Sequence, residues 1–344
     1  MPFSVSFVTF CSILFVDISG YIRGIEAGDR AVLARAITLA ESSAPKHQEP
    51  ARALIAAILP RTGRGRRLGI SGIPGVGKST FIEALGMHLI RTGHKLAVLA
   101  IDPSSTRTGG SILGDKTRME KLSAEPHAFI RPSPSGGTLG GTARKTRETL
   151  LLCEAFGFDT VIVETVGTGQ SETTVRSMTD FFLLLLAPHT GDELQGIKKG
   201  IVELADAIVV NKADGESRSA AERTRAEYAA ALHCLASPTP GWKPQVRLAS
   251  ALSGEGIPEA WSMVEDFHAL LGPRGGIEDR RRRQNVDWMM ALVDELLRRD
   301  FQSHPAVRQA LPVLQEQAAH SLLSPAEAAL KLVEAFRGHA GGGG

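Results

Sequence analysis

The sequence has few aromatic residues and almost no excess of charge of either sign. Aromatic side chains make up 5% of the 344 residues, and 39 basic residues stand against 37 acidic ones, a formal net charge of +2. Proteins that bind nucleic acids usually carry a strongly basic surface, or aromatic residues on which bases stack. We therefore expect no nucleic acid among the partners of this chain.

The sequence also has few cysteines, and its cysteines and histidines lack the spacing of a metal site. The three cysteines, Cys11, Cys153 and Cys234, are far apart and form no CxxC pair, and the ten histidines are scattered. This pattern argues against a disulfide framework and against a zinc ribbon. A reducing compartment fits the pattern, and we expect a cytoplasmic location.

Residues 1–16 contain no charged side chain. A helix that spans a bilayer needs about 20 apolar residues. The first basic residue is Arg23, so the segment also lacks the basic start of a signal peptide. We expect residues 1–18 to be an extension outside the folded domain and expect no membrane partner; a cryptic signal or anchor is the alternative. Residues 339–344 are expected to be a flexible tail.

Seven short apolar runs dominate the middle of the sequence. They are Leu68–Ser71, Leu96–Ile101, Ala128–Arg131, Thr160–Val163, Phe181–Leu186, Ala207–Val210 and Val246–Leu248. Each is followed by a helical or glycine-rich segment. Unbroken hydrophobicity in short runs indicates strands that are buried on both faces, as in a parallel sheet covered by helices. We therefore predict an α/β domain over residues 61–272, a three-layer sandwich with a mostly parallel central sheet.

Helical periodicity marks both flanks of this domain. Residues 21–42 repeat apolar side chains at intervals of three and four, which predicts one amphipathic helix, and Pro50–Leu59 is predicted as a second. Together they form an N-terminal helical segment at residues 19–60. After Pro273 the chain is helical again, and residues 273–338 are predicted as a C-terminal arm.

Two helices are predicted in the C-terminal arm. The first opens at Arg280–Arg283 and ends near Arg299, and its apolar face consists of Met289, Leu292, Val293, Leu296 and Leu297. The second is predicted from its capping residues, which are Ser324, Pro325, Glu327 and Gly338. Because the arm has no strand to pair with, we expect it to bury its apolar faces on the main domain or on another copy of the chain.

A phosphate-binding motif follows the first predicted strand. The sequence from Gly72 to Ser79, GIPGVGKS, matches G-x-x-x-x-G-K-[ST] in the strand–loop–helix context that the motif requires. Glycines let backbone N–H groups converge on phosphate oxygens, and the helix N-terminus adds partial positive charge. Lys78 can reach the β- and γ-phosphates, and the Ser79 hydroxyl can bind Mg²⁺. The motif predicts a P-loop NTPase whose nucleotide contacts are Gly72, Gly75, Val76, Gly77, Lys78, Ser79 and Thr80.

Polar side chains follow four more of the predicted strands at the points where they end. These residues are Asp102, Glu164, Asn211 and Ser250. In open parallel sheets, ligands bind beyond the carboxyl ends of the strands. We therefore expect these four side chains and the phosphate loop to lie at one edge of the sheet.

Asn211-Lys212-Ala213-Asp214 indicates which base the site prefers. The sequence matches N-K-x-D, in which the Asp214 carboxylate can accept hydrogen bonds from N1–H and the 2-amino group of guanine. Adenine has no such donors, so ATP would leave a desolvated carboxylate unpaired, at a cost of about 1–3 kcal/mol. Lys212 can pack along the base. The segment Ser250-Ala251-Leu252 resembles the loop that offers backbone N–H to guanine O6.

Acidic residues near the phosphate loop are the expected metal ligands. Mg²⁺ prefers oxygen ligands and keeps several waters, and we predict Ser79 as one ligand, with Asp102, Asp115 and Glu164 as candidates. Glu164 also begins a segment, Glu164-Thr165-Val166-Gly167, that resembles the acidic-x-x-Gly switch element. By this resemblance we expect the Gly167 amide to face the γ-phosphate. Gln170 is the candidate for orienting the attacking water.

Four longer motifs carry a resemblance to a known family. LAIDPSSTRTGGSILGDKTRM at residues 99–119, ETVGTGQSE at 164–172, GDELQGIKKGI at 191–201 and NKAD are similar to the methylmalonyl-CoA mutase-associated GTPases, the MeaB/ArgK family of P-loop GTPases. The likeness extends over about residues 20–337. One departure is Thr168, where valine is common in the family.

This resemblance implies a function, partners and further site residues. It implies a GTPase that chaperones an adenosylcobalamin-dependent acyl-CoA mutase, gates its cofactor loading and protects it from inactivation. It also implies a homodimer formed through the C-terminal arm. Asp102 and Asp115 fall in the implied first switch, Glu164 to Gln170 in the second, and Lys198 and Lys199 in a third that communicates with the mutase.

Three other functions remain open at the level of sequence. A nickel-insertion GTPase would need a cluster of cysteine and histidine. An ATPase or kinase serving transport would need a preference for ATP, which Asp214 opposes. A binding protein without hydrolysis would bind the nucleotide and leave it intact.

Overall fold

The computed structural model describes residues 17–101, 119–132, 139–165, 171–188 and 199–338. Seven strands lie in these ranges: β1 (Arg66–Gly72), β2 (Leu96–Ile101), β3 (Ala128–Arg131), β4 (Thr160–Thr165), β5 (Phe181–Leu186), β6 (Ala207–Val210) and β7 (Gln245–Leu248). They form one parallel sheet in the order β3-β2-β4-β1-β5-β6-β7. Each of the seven predicted apolar runs lies inside one strand, and the predicted α/β fold class is confirmed.

The sheet is buried on both faces, as unbroken hydrophobic strands require. In β5 all six side chains are buried, and they alternate between two cores. One core contains Phe182, Leu184 and Leu186. The other contains Phe181, Leu183 and Leu185. Successive side chains of a strand point to opposite faces, so a run such as FFLLLL needs a helical layer on each side.

Helices account for most of the remaining described residues. They are α1 (Ile18–Glu26), α2 (Arg30–Glu41), α3 (Pro45–Ile58), α4 (Lys78–Arg91), α5 (Glu120–Ser123), α6 (Leu139–Phe156), α7 (Glu172–Arg176), α8 (Lys199–Val202), α9 (Arg218–His233), α10 (Ile257–Leu271), α11 (Gly276–Ser303), α12 (Pro305–Ala319) and α13 (Pro325–Gly338). The chain divides into two compact units, one ending at Glu278 and the other beginning at Asp279. No helix in the described ranges combines the length and hydrophobicity needed to cross a bilayer.

The N-terminal segment corrects the prediction of a single helix over residues 21–42. The structure has two helices there, α1 and α2, separated at Gly28 and Asp29. Gly28 adopts φ +73°, a left-handed conformation that ends a helix, and the Asp29 carboxylate accepts hydrogen bonds from the N–H groups of Ala31 and Val32. The next helix begins at Pro45 rather than Pro50, so Pro50 lies inside α3.

The second unit is helical, with one more helix than predicted. The helix predicted to end near Arg299 continues to Ser303, where the following His304-Pro305 stops it and begins α12. The prediction for the last helix is confirmed, because the Glu327 N–H donates to Ser324 Oγ at 3.1 Å and α13 ends at Gly338.

Candidate functional site

The predicted phosphate loop begins at the carboxyl end of β1, the central strand of the sheet. β1 lies between β4 and β5, with the strands β2, β3 and β4 on one side and β5, β6 and β7 on the other. The carboxyl end of β1 is therefore a topological switch point, the place where open α/β sheets bind ligands. Residues 73–77 lead from this end directly into the 14-residue helix α4.

Glycine is required in this loop for two separate reasons. Gly75 and Gly77 have backbone φ angles of +82° and +92°, which residues other than glycine rarely adopt. A Cβ atom at Gly72 would lie 2.6 Å from the Leu185 carbonyl oxygen, and one at Gly77 would lie 2.8 Å from Asn211 Nδ2. At Gly72 and Gly77 the loop therefore passes too close to its neighbours for a side chain. At Gly75 the backbone conformation alone favours glycine.

Lys78 and Ser79 occupy the first turn of α4, as the motif requires. The buried Lys78 ammonium donates to the carbonyl oxygens of Gly72 at 2.7 Å and Ile73 at 3.1 Å, so it lies inside the loop. Ser79 Oγ donates to Glu164 Oε1 at 3.5 Å. A hydroxyl and a carboxylate side by side are the oxygen donors that Mg²⁺ prefers, so these two residues fit that ion.

Asn211 joins the phosphate loop to the loop that follows β7. Its Nδ2 donates to the Val76 carbonyl oxygen at 3.0 Å, and its Oδ1 accepts from the Ala251 N–H at 3.1 Å. The side chain is buried, and both of its polar atoms are used in this bridge. Asn211 thus holds together the two loops in which the sequence predicts phosphate and base contacts.

Lys212, Asp214 and Leu252 surround this bridge. Lys212 adopts φ +58° and donates from Nζ to the Gly75 carbonyl oxygen at 2.8 Å. The Asp214 carboxylate accepts a hydrogen bond from the Ser250 hydroxyl. Leu252, two residues after Ser250, is 84% exposed. The structure therefore brings the predicted phosphate, metal and base residues of the described ranges to one edge of the sheet.

Most of the chain matches a known protein family. Residues 33–306 match the model of the methylmalonyl-CoA mutase-associated GTPase MeaB. The chain belongs to this family. It is 52% identical over 321 residues to a putative GTPase of Caulobacter vibrioides, covering 93% of this chain and 98% of that protein. It is also 45% identical to the mouse mitochondrial methylmalonic aciduria type A homolog, over 91% of this chain and 78% of that protein.

A solved structure is also similar to this chain over most of its length. The crystal structure of a LAO/AO transport system kinase is 39% identical, has a TM-score of 0.75, and the match covers 93% of this chain and 97% of that one. As a member of the MeaB family, the chain is a GTPase and binds a guanine nucleotide.

Several predicted residues of this MeaB-family site are not placed by the structure. The residues outside the described ranges are Asp102, Asp115, Gly167, Gln170, Lys198 and, for its side chain, Lys199. Their roles stay predictions. The backbone of Lys199 begins α8.

An ion pair that no sequence motif indicates joins the start of α9, which follows β6, to the loop that follows β7. Arg218, at the start of α9, donates from Nη1 to Glu255 Oε1 at 2.6 Å and to the Ala213 carbonyl oxygen at 3.4 Å. The hydrogen bond and the negative charge of Glu255 raise the pKa of Arg218. The two side chains are 37 residues apart in the sequence, so only the fold shows that they meet.

Proposed function

We propose that this chain is a magnesium-dependent GTPase that chaperones an adenosylcobalamin-dependent acyl-CoA mutase, with methylmalonyl-CoA mutase as the first candidate. In this role it gates cofactor loading and protects the mutase from inactivation. The observation that carries the nucleotide site is the Asn211 bridge between the phosphate loop and the base loop. The mutase partner is inferred from the description of the family.

The base end of the site selects guanine through the Asp214 carboxylate. Asp214 accepts from N1–H and the 2-amino group of the base, and the Ser250 hydroxyl holds the carboxylate in place. Lys212 lies along one side of the base, and the exposed Leu252 covers it. ATP brings no donors to Asp214, and the unpaired carboxylate costs about 1–3 kcal/mol.

The phosphate end of the site stabilises charge during hydrolysis. Water attacks the γ-phosphorus in line as the bond to the β–γ bridging oxygen breaks, giving GDP and phosphate. Lys78 and the backbone N–H groups of residues 75–79 donate to the phosphoryl oxygens as negative charge develops on them. Gln170 is the proposed residue that orients the water, and Gly167 the proposed amide at the γ-phosphate.

Ser79 and Glu164 hold Mg²⁺ in this proposal, with Asp102 and Asp115 as further ligands. The fit rests on the 3.5 Å contact between the Ser79 hydroxyl and the Glu164 carboxylate. The ion neutralises phosphate charge when it is bound.

We also propose that α11 forms the homodimer contact. Six large apolar side chains on this helix are 39–59% exposed and recur at intervals of three and four: Val286, Met289, Met290, Val293, Leu296 and Leu297. A continuous apolar stripe of this kind marks a protein interface, and its spacing suits packing against a second helix.

Lys198 and Lys199 are the proposed residues through which the nucleotide state reaches the mutase. A cytoplasmic location agrees with the free thiols of Cys153 and Cys234.

Co-purification with a candidate mutase tests the chaperone role. The chain is loaded with GDP or with a non-hydrolysable GTP analogue and mixed with the mutase in each state. We expect the amount of complex to depend on the nucleotide, because bound nucleotide shifts the population of switch conformations that the partner recognises. The Asp214→Ala variant is the control, since it should lose this dependence. Equal association in both states, or none, would contradict the proposal.

A further inference from the structure

Three buried polar side chains from distant parts of the chain meet beneath the phosphate loop. Ser71, Thr165 and Glu172 are 1%, 0% and 2% exposed. The Thr165 hydroxyl donates to Ser71 Oγ at 2.8 Å, and the Ser71 hydroxyl donates to Glu172 Oε1 at 3.5 Å. The hydrogen bonds therefore run in one direction and end on a carboxyl group. We call these three residues the hydroxyl relay.

Each member of the hydroxyl relay lies next to a part of the nucleotide site. Ser71 directly precedes Gly72, where the phosphate loop begins. Thr165 is the last residue of β4, and Glu172 is the first residue of α7. In the sequence, Thr165 and Glu172 flank residues 166–170, which include the predicted Gly167 and Gln170. The relay therefore attaches both flanks of this segment to the strand that leads into the phosphate loop.

The end of β4 is held from both faces of the sheet. Glu164 and Thr165 are neighbours on this strand, so their side chains point to opposite faces. Glu164 contacts Ser79 of α4 on one face, whereas Thr165 contacts Ser71 on the other. A shift of the strand end would break both contacts, and the position of the proposed metal ligand therefore depends on the relay.

Packing alone does not explain why these side chains are polar. Apolar side chains of similar volume would fill the same space without the cost of burying hydroxyl and carboxyl groups. Directional hydrogen bonds hold neighbouring segments at a defined distance, which apolar contacts do less well. The polar choice is therefore consistent with a demand for precise geometry at this point.

We propose that the hydroxyl relay is a positioning device for GTP hydrolysis. It fixes the flanks of residues 166–170 and the Glu164 carboxylate relative to the phosphate loop, so that its loss slows hydrolysis without weakening the binding of GDP. Ser71, Thr165 and Glu172 are positioning residues, because they act through their neighbours on the strand and the loop. The inference rests on the nucleotide site proposed above.

The test separates the rate of hydrolysis from nucleotide affinity. Thr165→Val keeps the shape of the side chain and removes the donor, and Ser71→Ala removes both hydrogen bonds. In single-turnover assays with GTP and Mg²⁺ we expect both variants to hydrolyse GTP about tenfold more slowly. This is the effect on the rate expected when one buried hydrogen bond is lost in the transition state. Their dissociation constants for GDP should stay within about twofold of the original chain's.

Two further variants show whether the hydroxyl itself is responsible. Thr165→Ser keeps the donor and should hydrolyse GTP at least about fivefold faster than Thr165→Val. Thr146→Val removes another buried threonine hydroxyl, one that donates to the Thr142 carbonyl oxygen within α6 at 2.9 Å, and should leave the rate unchanged. Thr165→Val with the original rate, or with rate and GDP affinity lowered in proportion, would overturn the proposal.

A wrong assignment of the nucleotide site gives a different result from a wrong assignment of the relay. If the unmodified chain binds no GDP, the proposed nucleotide site is contradicted, and the relay needs a measurement that does not depend on nucleotide. Hydrogen exchange at the amides of α7 then decides the matter: faster exchange in Ser71→Ala than in the unmodified chain supports the relay, and equal exchange overturns it.

Discussion

Gly77 is the position where adding one methyl group should have the clearest effect. Its φ is +92°, and a Cβ atom there would lie 2.8 Å from Asn211 Nδ2. Gly75, two residues earlier in the same loop, has a similar φ of +82°, but a Cβ atom there would meet nothing within 4 Å. The two alanine substitutions therefore share the backbone strain and differ in the clash.

The difference between the two variants can be worked out from these contacts. The left-handed conformation costs an alanine about 1–2 kcal/mol at either position. Gly77→Ala must also displace the Asn211 amide, which breaks its hydrogen bonds with Val76 and Ala251 at a further cost of about 1–3 kcal/mol. Because this bridge joins the phosphate and base loops, we expect GDP to bind about 5- to 150-fold more weakly to Gly77→Ala than to Gly75→Ala.

Isothermal titration calorimetry with GDP and Mg²⁺ measures this difference. Gly75→Ala is the matched control, and Asn211→Ala provides a second background in which the clash is gone. In that background Gly77→Ala should weaken binding no more than Gly75→Ala does, because the shared partner has been removed. Equal dissociation constants for the two single variants would refute the reasoning.

Three further predictions concern the base, the helical arm and the core. Asp214→Ala should lower the preference for GTP over ATP by about tenfold or more, measured by competition binding; an unchanged preference would exclude guanine readout at Asp214. Met289→Asp should convert a dimer to a monomer in light scattering, because it places a charge in the apolar stripe of α11; an unchanged mass would exclude this interface. Glu154→Gln leaves the buried Arg67 guanidinium, now 2.7 Å from the Glu154 carboxylate, uncompensated. We expect the free energy of unfolding in urea to fall by about 3 kcal/mol or more, whereas the exposed Glu222→Gln should change it little; equal effects would contradict a stabilising role for the buried pair.

The strands and the phosphate loop were predictable because each is encoded within a few consecutive residues. A run such as FFLLLL in β5 can only be buried on both faces, whatever surrounds it. The glycines and lysine of residues 72–79 specify a backbone path and a charge at fixed spacing. The break between α1 and α2 was also local, since Gly28-Asp29 is a stop signal followed by an N-cap, and the prediction of one helix overlooked it.

Contacts between residues far apart in the sequence could not be predicted from it. Asn211 and Val76 are 135 residues apart, and Ser71 lies 94 residues from Thr165 and 101 from Glu172. These contacts follow from the strand order, which places β1 between β4 and β5, and no local pattern of hydrophobicity specifies that order. The strands and the glycine-rich loop could be predicted because hydrophobic runs and glycine spacing are local properties of the chain. Guanine readout by Asp214 stays a prediction. The bridge, the hydroxyl relay and the ion pair at Arg218 depend on long-range packing, because a hydrogen bond needs its two partners within about 3 Å and only the folded sheet brings them there.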